Sequence, residues 1–595
     1  MRHMTNYWKR RTQGYSRRDA LRVGSTAGVG LATLGLIGCG NDDDDNGDVP
    51  DNGDDGNRVV DDRDIEVPVP RDEGRLLEMF PYDWDEPEEA QTGGRLRVAA
   101  TWDVSTWDPR VTQSGGTNTV ANIVYNRIMK FDLGPGYSPY EIHIEPDLAE
   151  GYELSDDGLT YTFRLHPGIH WQDVAPLDGR ALTAEDIMRC YEQYGESGVN
   201  TGIFAAVDHM ETPDDDTLVV HLTEPSPSFL NEISSRYVPI FPPELVEDDS
   251  IDTAAVGTGP FILESATTGE GVLLVKNPDY FEGEPYLDEV EFLVRPDAST
   301  RLAMFRSDQI EYGYGFATDL RELDDVLESD PDTRVGMVQN IGITKFSIAG
   351  RHDDPDSPWR DARVRKAISR GIDRNAVIEI VNEGLGGPDG CLPWPWVMDD
   401  PPTMDEMGEN FQYDPEDARQ LLEAAGYEDL NLTINFFEYA SALRTEVETL
   451  MDQLRAIGAN LQLGDMDYTT FNSQWIGAEY EELVYGWWAF AHEADSWAFQ
   501  NMHSESPSNR HTIDDPELDR LIMDQRHELD PEARQDILRD IWDHFNEEMP
   551  SVLLTQGAVG YDLQAPTLHN LRFGGFAHSF YDWGQQLPRV WVSQA

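Results

Sequence analysis

Pro146-Asp147-Leu148-Ala149-Glu150-Gly151-Tyr152-Glu153-Leu154-Ser155-Asp156-Asp157-Gly158-Leu159-Thr160-Tyr161-Thr162-Phe163-Arg164-Leu165 reads as two strands joined by a tight turn. Ser155-Asp156-Asp157-Gly158 carries the turn, with Gly158 free to take a positive φ. Thr160 to Leu165 alternates as a half-buried strand should. Working outward, Arg95 to Ala99 and Thr217 to Leu222 alternate in the same way. Further strands are expected at 272–276, 290–294 and 432–437. Helix starts are marked by side chains that accept from free backbone N–H groups. Thr183 with Asp186 makes a capping box, and Asp414-Pro415 and Asp530-Pro531 place a cap before a first-turn proline. The first of these two proline-led helices should stop at Gly426 and the second before Pro550. Ile537, Leu538, Ile541, Trp542 and Phe545 form one apolar face of the second. Strands interleaved with helices predict an α/β or mixed architecture. No internal repeat is visible.

The chain has 595 residues, 113 acidic against 44 basic, for a formal charge of -69. Five lysines occur: Lys9, Lys130, Lys276, Lys345 and Lys366. In ordinary buffer such charge strains a compact fold. At molar salt the screening length falls to about 3 Å and the repulsion fades. The composition therefore predicts adaptation to brine. Disorder is excluded by 39% hydrophobic residues, with 15 Trp, 23 Tyr and 22 Phe. Nucleic acid is excluded as a partner, since its phosphates would be repelled. Apart from Cys39, the cysteines are Cys190 and Cys391. Free or buried thiols are expected, with a disulfide between them as the alternative.

Residues 1–39 read as an export signal. Arg17 and Arg18 precede a short apolar stretch, Val23 to Ile37, that ends in Leu36-Ile37-Gly38-Cys39. The stretch is too short and glycine-rich for a span of about 20 residues. The arginine pair resembles a twin-arginine signal, and Leu-Ile-Gly-Cys resembles a lipobox that would lipidate Cys39. Residues 40–92 are Asp-, Asn-, Gly- and Pro-rich, which suits an acidic tether and lead-in. The body would then work at the extracellular face of the membrane, anchored by lipid.

Enzyme motifs are missing from the sequence. His492-Glu493 and His527-Glu528 lack the second histidine of a zinc-protease helix, and there is no Gly-x-Ser-x-Gly elbow, phosphate-binding glycine loop or Cys-x-x-Cys pair. No catalytic residue, metal or cofactor is expected.

Ordered blocks give the chain a family likeness. After the opening stretch come His166-Pro167-Gly168-Ile169-His170-Trp171, Leu182-Thr183-Ala184-Glu185-Asp186, Val256-Gly257-Thr258-Gly259-Pro260-Phe261 and Lys276-Asn277-Pro278-Asp279-Tyr280-Phe281. Arg360 to Ile368, Gly371-Ile372-Asp373-Arg374, Tyr413 to Ala418 and Leu421 to Tyr427 follow. Together they resemble the solute-binding proteins of peptide-type (dipeptide/oligopeptide, family 5) ABC importers. Most blocks are scaffold by their chemistry. Gly257-Thr258-Gly259-Pro260 reads as a backbone-driven bend before a strand, and Asp373 as a cap.

The resemblance implies an α/β, two-lobed fold of the periplasmic-binding-protein type, with an extra subdomain in the first lobe. Lobe I would hold 94–340 plus 553–595, and lobe II 341–552, with hinge crossings near 338–346 and 550–558. It also implies a monomer that closes on a small-molecule solute and delivers it to an ABC permease. In the family's peptide binders a Trp-x-x-Asp motif meets the peptide amine. The matching stretch here runs from Tyr485 to Trp497, and alignment on Trp487 or Trp488 puts Phe490 or Ala491 at the aspartate position. Glu493 or Asp495 would have to reach in instead. Trp475, Trp487, Trp488 and Trp497 could stack on sugar rings or stay in the core. Gln113, Ser114 and Thr117 lie in a loop expected to face the cleft from lobe I. Peptide and oligosaccharide are therefore rival ligands. A secreted hydrolase such as a glycosidase, and a sensory binding protein, are the alternative functions.

Overall fold

The turn at Ser155 forms as its residues require. Gly158 takes φ +70°, its N–H donates to Ser155 O at 2.8 Å, and Asp157 Oδ1 accepts from Ser155 Oγ and Leu159 N. It joins strands Ala149–Leu154 and Thr160–Leu165 in an antiparallel sheet of four. Thr217–Leu222 and then Val207–Asp214 complete that sheet, the last as its edge.

The computed structural model describes residues 90–112, 114–131, 143–317, 320–337, 345–381, 387–398, 402–437, 441–489, 491, 493–556, 561–571 and 583–593. They fall within the unit Leu77–Ala595. Arg17, Arg18, Cys39, the tether to residue 89, Gln113, Phe490, residues 338–344 of the first expected crossing and 557–558 of the second lie outside the described residues. Among the described residues no helix is long and apolar enough to cross a membrane.

Two further sheets define the lobes. The first has seven strands, in the order Arg334–Met337, Tyr561–Gln564, Tyr312–Ala317, Arg95–Ala100, Glu289–Val294, Gly271–Lys276 and Phe261–Thr267. Arg95–Ala100 runs parallel to both of its neighbours, and the other pairings are antiparallel. The second has five strands, in the order Ala459–Asp465, Leu430–Phe436, Leu483–Trp487, Phe346–Gly350 and Val552–Leu553. Its parallel pairs are bridged by the helices Ser441–Arg455 and Tyr468–Ile476. One large apolar core joins the seven- and four-stranded sheets, and a separate one fills the second lobe. The fold is two-lobed and mixed α/β.

The chain passes between these sheets after Met337 and again after Gln556. Leu553 still pairs with Ser347, and Thr555–Gln556 with Gly387–Pro388. The second sheet thus extends past residue 552, where lobe II was expected to end, because the outgoing strand completes its edge. The expected helix Pro531–Glu548 buries Leu538, Ile541, Trp542 and Phe545, with Ile537 half-buried beside them. Cys190 and Cys391 are free, buried thiols in different cores, so the disulfide alternative is corrected.

The family blocks meet in space. Asn126 Nδ2 donates to Asp147 Oδ1 at 2.7 Å, and Arg127 N to Asp147 Oδ2 at 2.8 Å. Thr258 Oγ1 donates to Asn126 Oδ1, while Gln172 and Asn277 donate to Gly259 O. Neither Gly257 nor Gly259 takes a positive φ. A Cβ at either would strike the backbone of Ile123 or Val124. Close approach, and not the expected bend, is what requires glycine there.

Candidate functional site

The lobe I loop that was expected to face the cleft follows the strand Arg95–Ala100. Ser114 caps the helix Gly115–Val124, accepting from Thr117 N at 3.4 Å. Thr117 Oγ1 donates to Thr106 O at 2.7 Å, and Thr117 is buried. The expected contact at Thr117 is therefore corrected, since its hydroxyl shapes the loop. Ser114 stays half-buried and also meets Ser105 Oγ at 3.2 Å.

In lobe II the four tryptophans separate into two kinds. Trp475, Trp488 and Trp497 are 0%, 2% and 0% exposed. Their indole N–H groups donate to Trp487 O, Ser347 Oγ and Cys391 O at 3.0, 3.0 and 2.8 Å. Trp475 lies so close behind Gly486 that a Cβ there would come within 2.7 Å of its ring. Trp488 and Trp497 stack at 6.2 Å and face the buried Lys345 ammonium, 5.7 and 5.3 Å from their ring centres. That ammonium pairs with Asp389 at 3.0 Å and donates to Gly390 O. Of the two roles that the sequence left open for these three indoles, burial in the core is the one their surroundings match. Trp487 differs. It ends its strand half-buried, with Phe346, Phe437 and Phe471 around it at 5.5 to 6.5 Å. Trp475 also lies against it at 6.5 Å, so it is the edge of this aromatic cluster that solvent reaches only in part.

The two carboxylates proposed to reach in do not. Glu493 caps the helix Ala494–Met502 and pairs with Arg534 at 2.5 Å. Asp495 pairs with Arg526 at 2.9 Å and accepts from Gln525 at 2.6 Å. Both acids are buried. Drawing either toward a ligand would leave a half-buried arginine without its partner. The sequence could not reveal this, because both arginines arrive from helices downstream.

A contact that the sequence did not suggest joins the lobes. Glu232, in the short helix Phe229–Ile233 of lobe I, accepts from Ser496 Oγ of lobe II. Desolvation pushes its carboxyl up to about 7, with Glu493 and Asp495 adding like charge and the Ser496 hydroxyl pulling it down. Nearby, Glu224 lies 3.4 Å from His527. A Cβ on Gly158 would come within 2.9 Å of Leu529. The Ser155–Gly158 turn thus packs on the opposite lobe. Small polar groups and an acid at such a seam can be made or broken by modest movement, which suits a hinged clasp.

Comparison with known proteins places the chain further. The model for the middle region of bacterial extracellular solute-binding proteins, family 5, matches residues 143–509. A putative ABC transporter peptide-binding protein of Brucella ovis is 28% identical over 349 residues, covering 56% of this chain and 62% of that protein. Heme-binding protein A of Haemophilus influenzae is 27% identical over 334 residues, covering 52% and 58%. The chain thus aligns with about three fifths of the length of these relatives. A periplasmic binding protein associated with an ABC transporter in Helicobacter pylori, solved with the peptide STSA, superposes with TM-score 0.70 at 20% identity. That match covers 85% of this chain and 99% of that one.

Proposed function

The chain belongs to family 5 of the bacterial extracellular solute-binding proteins, and on that premise we propose that it is the substrate-binding subunit of an ABC importer. It clasps a peptide-class solute between its lobes and passes it, unaltered, to a membrane permease. The seam at Glu232 and Ser496 carries this reading: two lobes with separate cores meet through a few polar contacts. A ligand touching both lobes binds the joined arrangement better than the parted one, and that difference drives closure. The naming of the Brucella relative as peptide-binding supports the ligand class.

An oligosaccharide is the second reading. The pairing of Glu493 and Asp495 with arginines leaves an incoming ammonium without those partners, while Trp487 is the one indole of the four that is not fully buried and so the one a sugar ring could meet. A thermal-shift screen in molar salt separates the two readings. Di- to pentapeptides are expected to raise the melting temperature, and N-acetylated forms to do so equally. Stabilisation by oligosaccharides alone decides for the second reading, and no shift with either class sinks both. Trp487→Ala should weaken the ligand about tenfold, the loss of about 1.4 kcal/mol of ring contact.

The same proposal puts the protein at the extracellular face, exported through Arg17-Arg18 and anchored by lipid on Cys39. Its acid coat suits brine. The described lysines are each paired with acids: Lys130 with Glu282, Lys276 with Glu284, Lys345 with Asp389 and Lys366 with Glu547. The net surface is left negative. Dialysis into dilute buffer should unfold the chain; an unchanged circular dichroism spectrum there would contradict the adaptation.

A further inference from the structure

The edge hairpin of the four-stranded sheet gathers ligating side chains. Strands Val207–Asp214 and Thr217–Leu222 pair so that His209 stands opposite His221 and Glu211 opposite Val219. Thr217–Leu222 buries Leu218, Val220 and Leu222 on its core face, and His221 lies on the other. His209 and Glu211 are exposed and His221 is half-buried. The two imidazoles stack with centres 4.3 Å apart and planes 13° apart. His209 Nε2 is 3.6 Å from Glu211 Oε1. One ligating atom from each of the three residues lies within 4.8 Å of the other two.

Each ring also has an outer partner. His209 Nδ1 sits 2.8 Å from Asp208 Oδ2, and His221 Nδ1 sits 3.2 Å from Thr160 Oγ1. A ring that gives its Nδ1 proton to such an oxygen turns an unprotonated Nε2 outward. An oxygen partner of this kind fixes the ring's orientation and tautomer. Two oriented imidazoles and a carboxylate on one exposed face exceed what a merely acidic surface offers.

We propose that His209, Glu211 and His221 form a binding site for a divalent transition metal on the solvent face of this sheet. Two nitrogens and one oxygen select zinc, nickel or copper over magnesium and calcium, which favour all-oxygen sets. Three protein ligands leave a position for water or chloride. Bonds of about 2.0–2.1 Å to zinc require the side chains to rotate inward, which exposure permits. Bound metal bridges the two strands and pins the sheet's edge.

The test uses the full chain, stripped by chelator and held in molar sodium chloride. Copper(II) is titrated in and followed by pulsed electron paramagnetic resonance. The first equivalent should show coupling to two imidazole nitrogens and should survive excess magnesium. His209→Gln with His221→Gln should abolish that signal, and His209→Gln alone should reduce it to a single imidazole. Asp208→Ala should weaken binding at least about tenfold through loss of the outer partner. Copper-free melting curves should be unchanged in the single variant, because His209 is exposed on an edge strand. Equal uptake with the same spectrum in wild type and both variants overturns the proposal, as does displacement by magnesium.

Discussion

The two lobes hold their family blocks together by different chemistry. In lobe I, side-chain amides, a hydroxyl and one buried carboxyl interlock around Asn126, Asp147 and Gly259. In lobe II the corresponding work falls to buried guanidinium groups that face carbonyls and not carboxylates. Arg374 donates to Leu553 O at 2.6 and 3.1 Å, to Ser369 O at 3.1 Å and to Ser369 Oγ at 2.8 Å. Burial pulls its pKa down to about 9. Arg365 donates to Glu548 O and Met549 O, at the end of the helix Pro531–Glu548, where the helix dipole favours a cation. Lobe II is thereby tied to the outgoing strand Val552–Leu553, while lobe I is closed by glycine-to-backbone contact. In so acidic a chain, a guanidinium can hold a junction without recruiting an acid, provided that enough carbonyls converge on it.

The largest effect should come from breaking the lobe II tie. Arg374→Met leaves Leu553 O without its charged donor and should destabilise the protein by about 3 kcal/mol. Denaturant unfolding in molar salt, followed by tryptophan fluorescence, measures it. A midpoint equal to wild type would erase the contrast between the lobes. Gly257→Ala attacks lobe I instead. Its methyl group would collide with Val124 O, and a loss of about 1–3 kcal/mol is expected; no loss would mean that the backbones separate freely.

The smallest effect sharpens the comparison through pH. Burial in lobe II pushes the Glu446 carboxyl up to about 7, against a hydrogen bond with Tyr485. Its contribution is fully present below about 4.5 and is lost as pH rises through about 7. Glu446→Gln should therefore gain stability at pH 8 and none at pH 4. Burial acts in the opposite direction on His352 and His511, holding them down to about 4 and 3. They remove stability as pH falls below 6.5, so acid unfolding should steepen in the Glu446→Gln variant. Parallel melting curves across pH 4–8 would show that these groups do not set the pH response.

Legibility followed the range of the interactions. Thr160–Leu165, Thr217–Leu222, the Thr183–Asp186 capping box and the glycine stop at Gly426 are set by neighbours in the chain, and they form as read. The strand Tyr561–Gln564 has no local signal, because its place between two lobe I strands depends on partners far back in the chain. At the site, the tryptophan cluster was visible but its sorting was not. Trp475 and Trp487 are close in sequence and have like side chains, yet one is sealed behind Gly486 and the other ends a strand at the surface. His209 and His221 belong to no spacing pattern until a hairpin sets them face to face.

Taken alone, the sequence determined the turns, caps, strand periodicity and acid excess, and through its ordered blocks the family. Each of these is fixed by the conformational preference or charge of residues near one another in the chain. Only the tertiary structure decided which acids are paired, which indoles are sealed in the core, and that Glu232 meets Ser496. Those outcomes depend on which distant cation or surface arrives beside a side chain, and burial and pairing are properties of the packed neighbourhood.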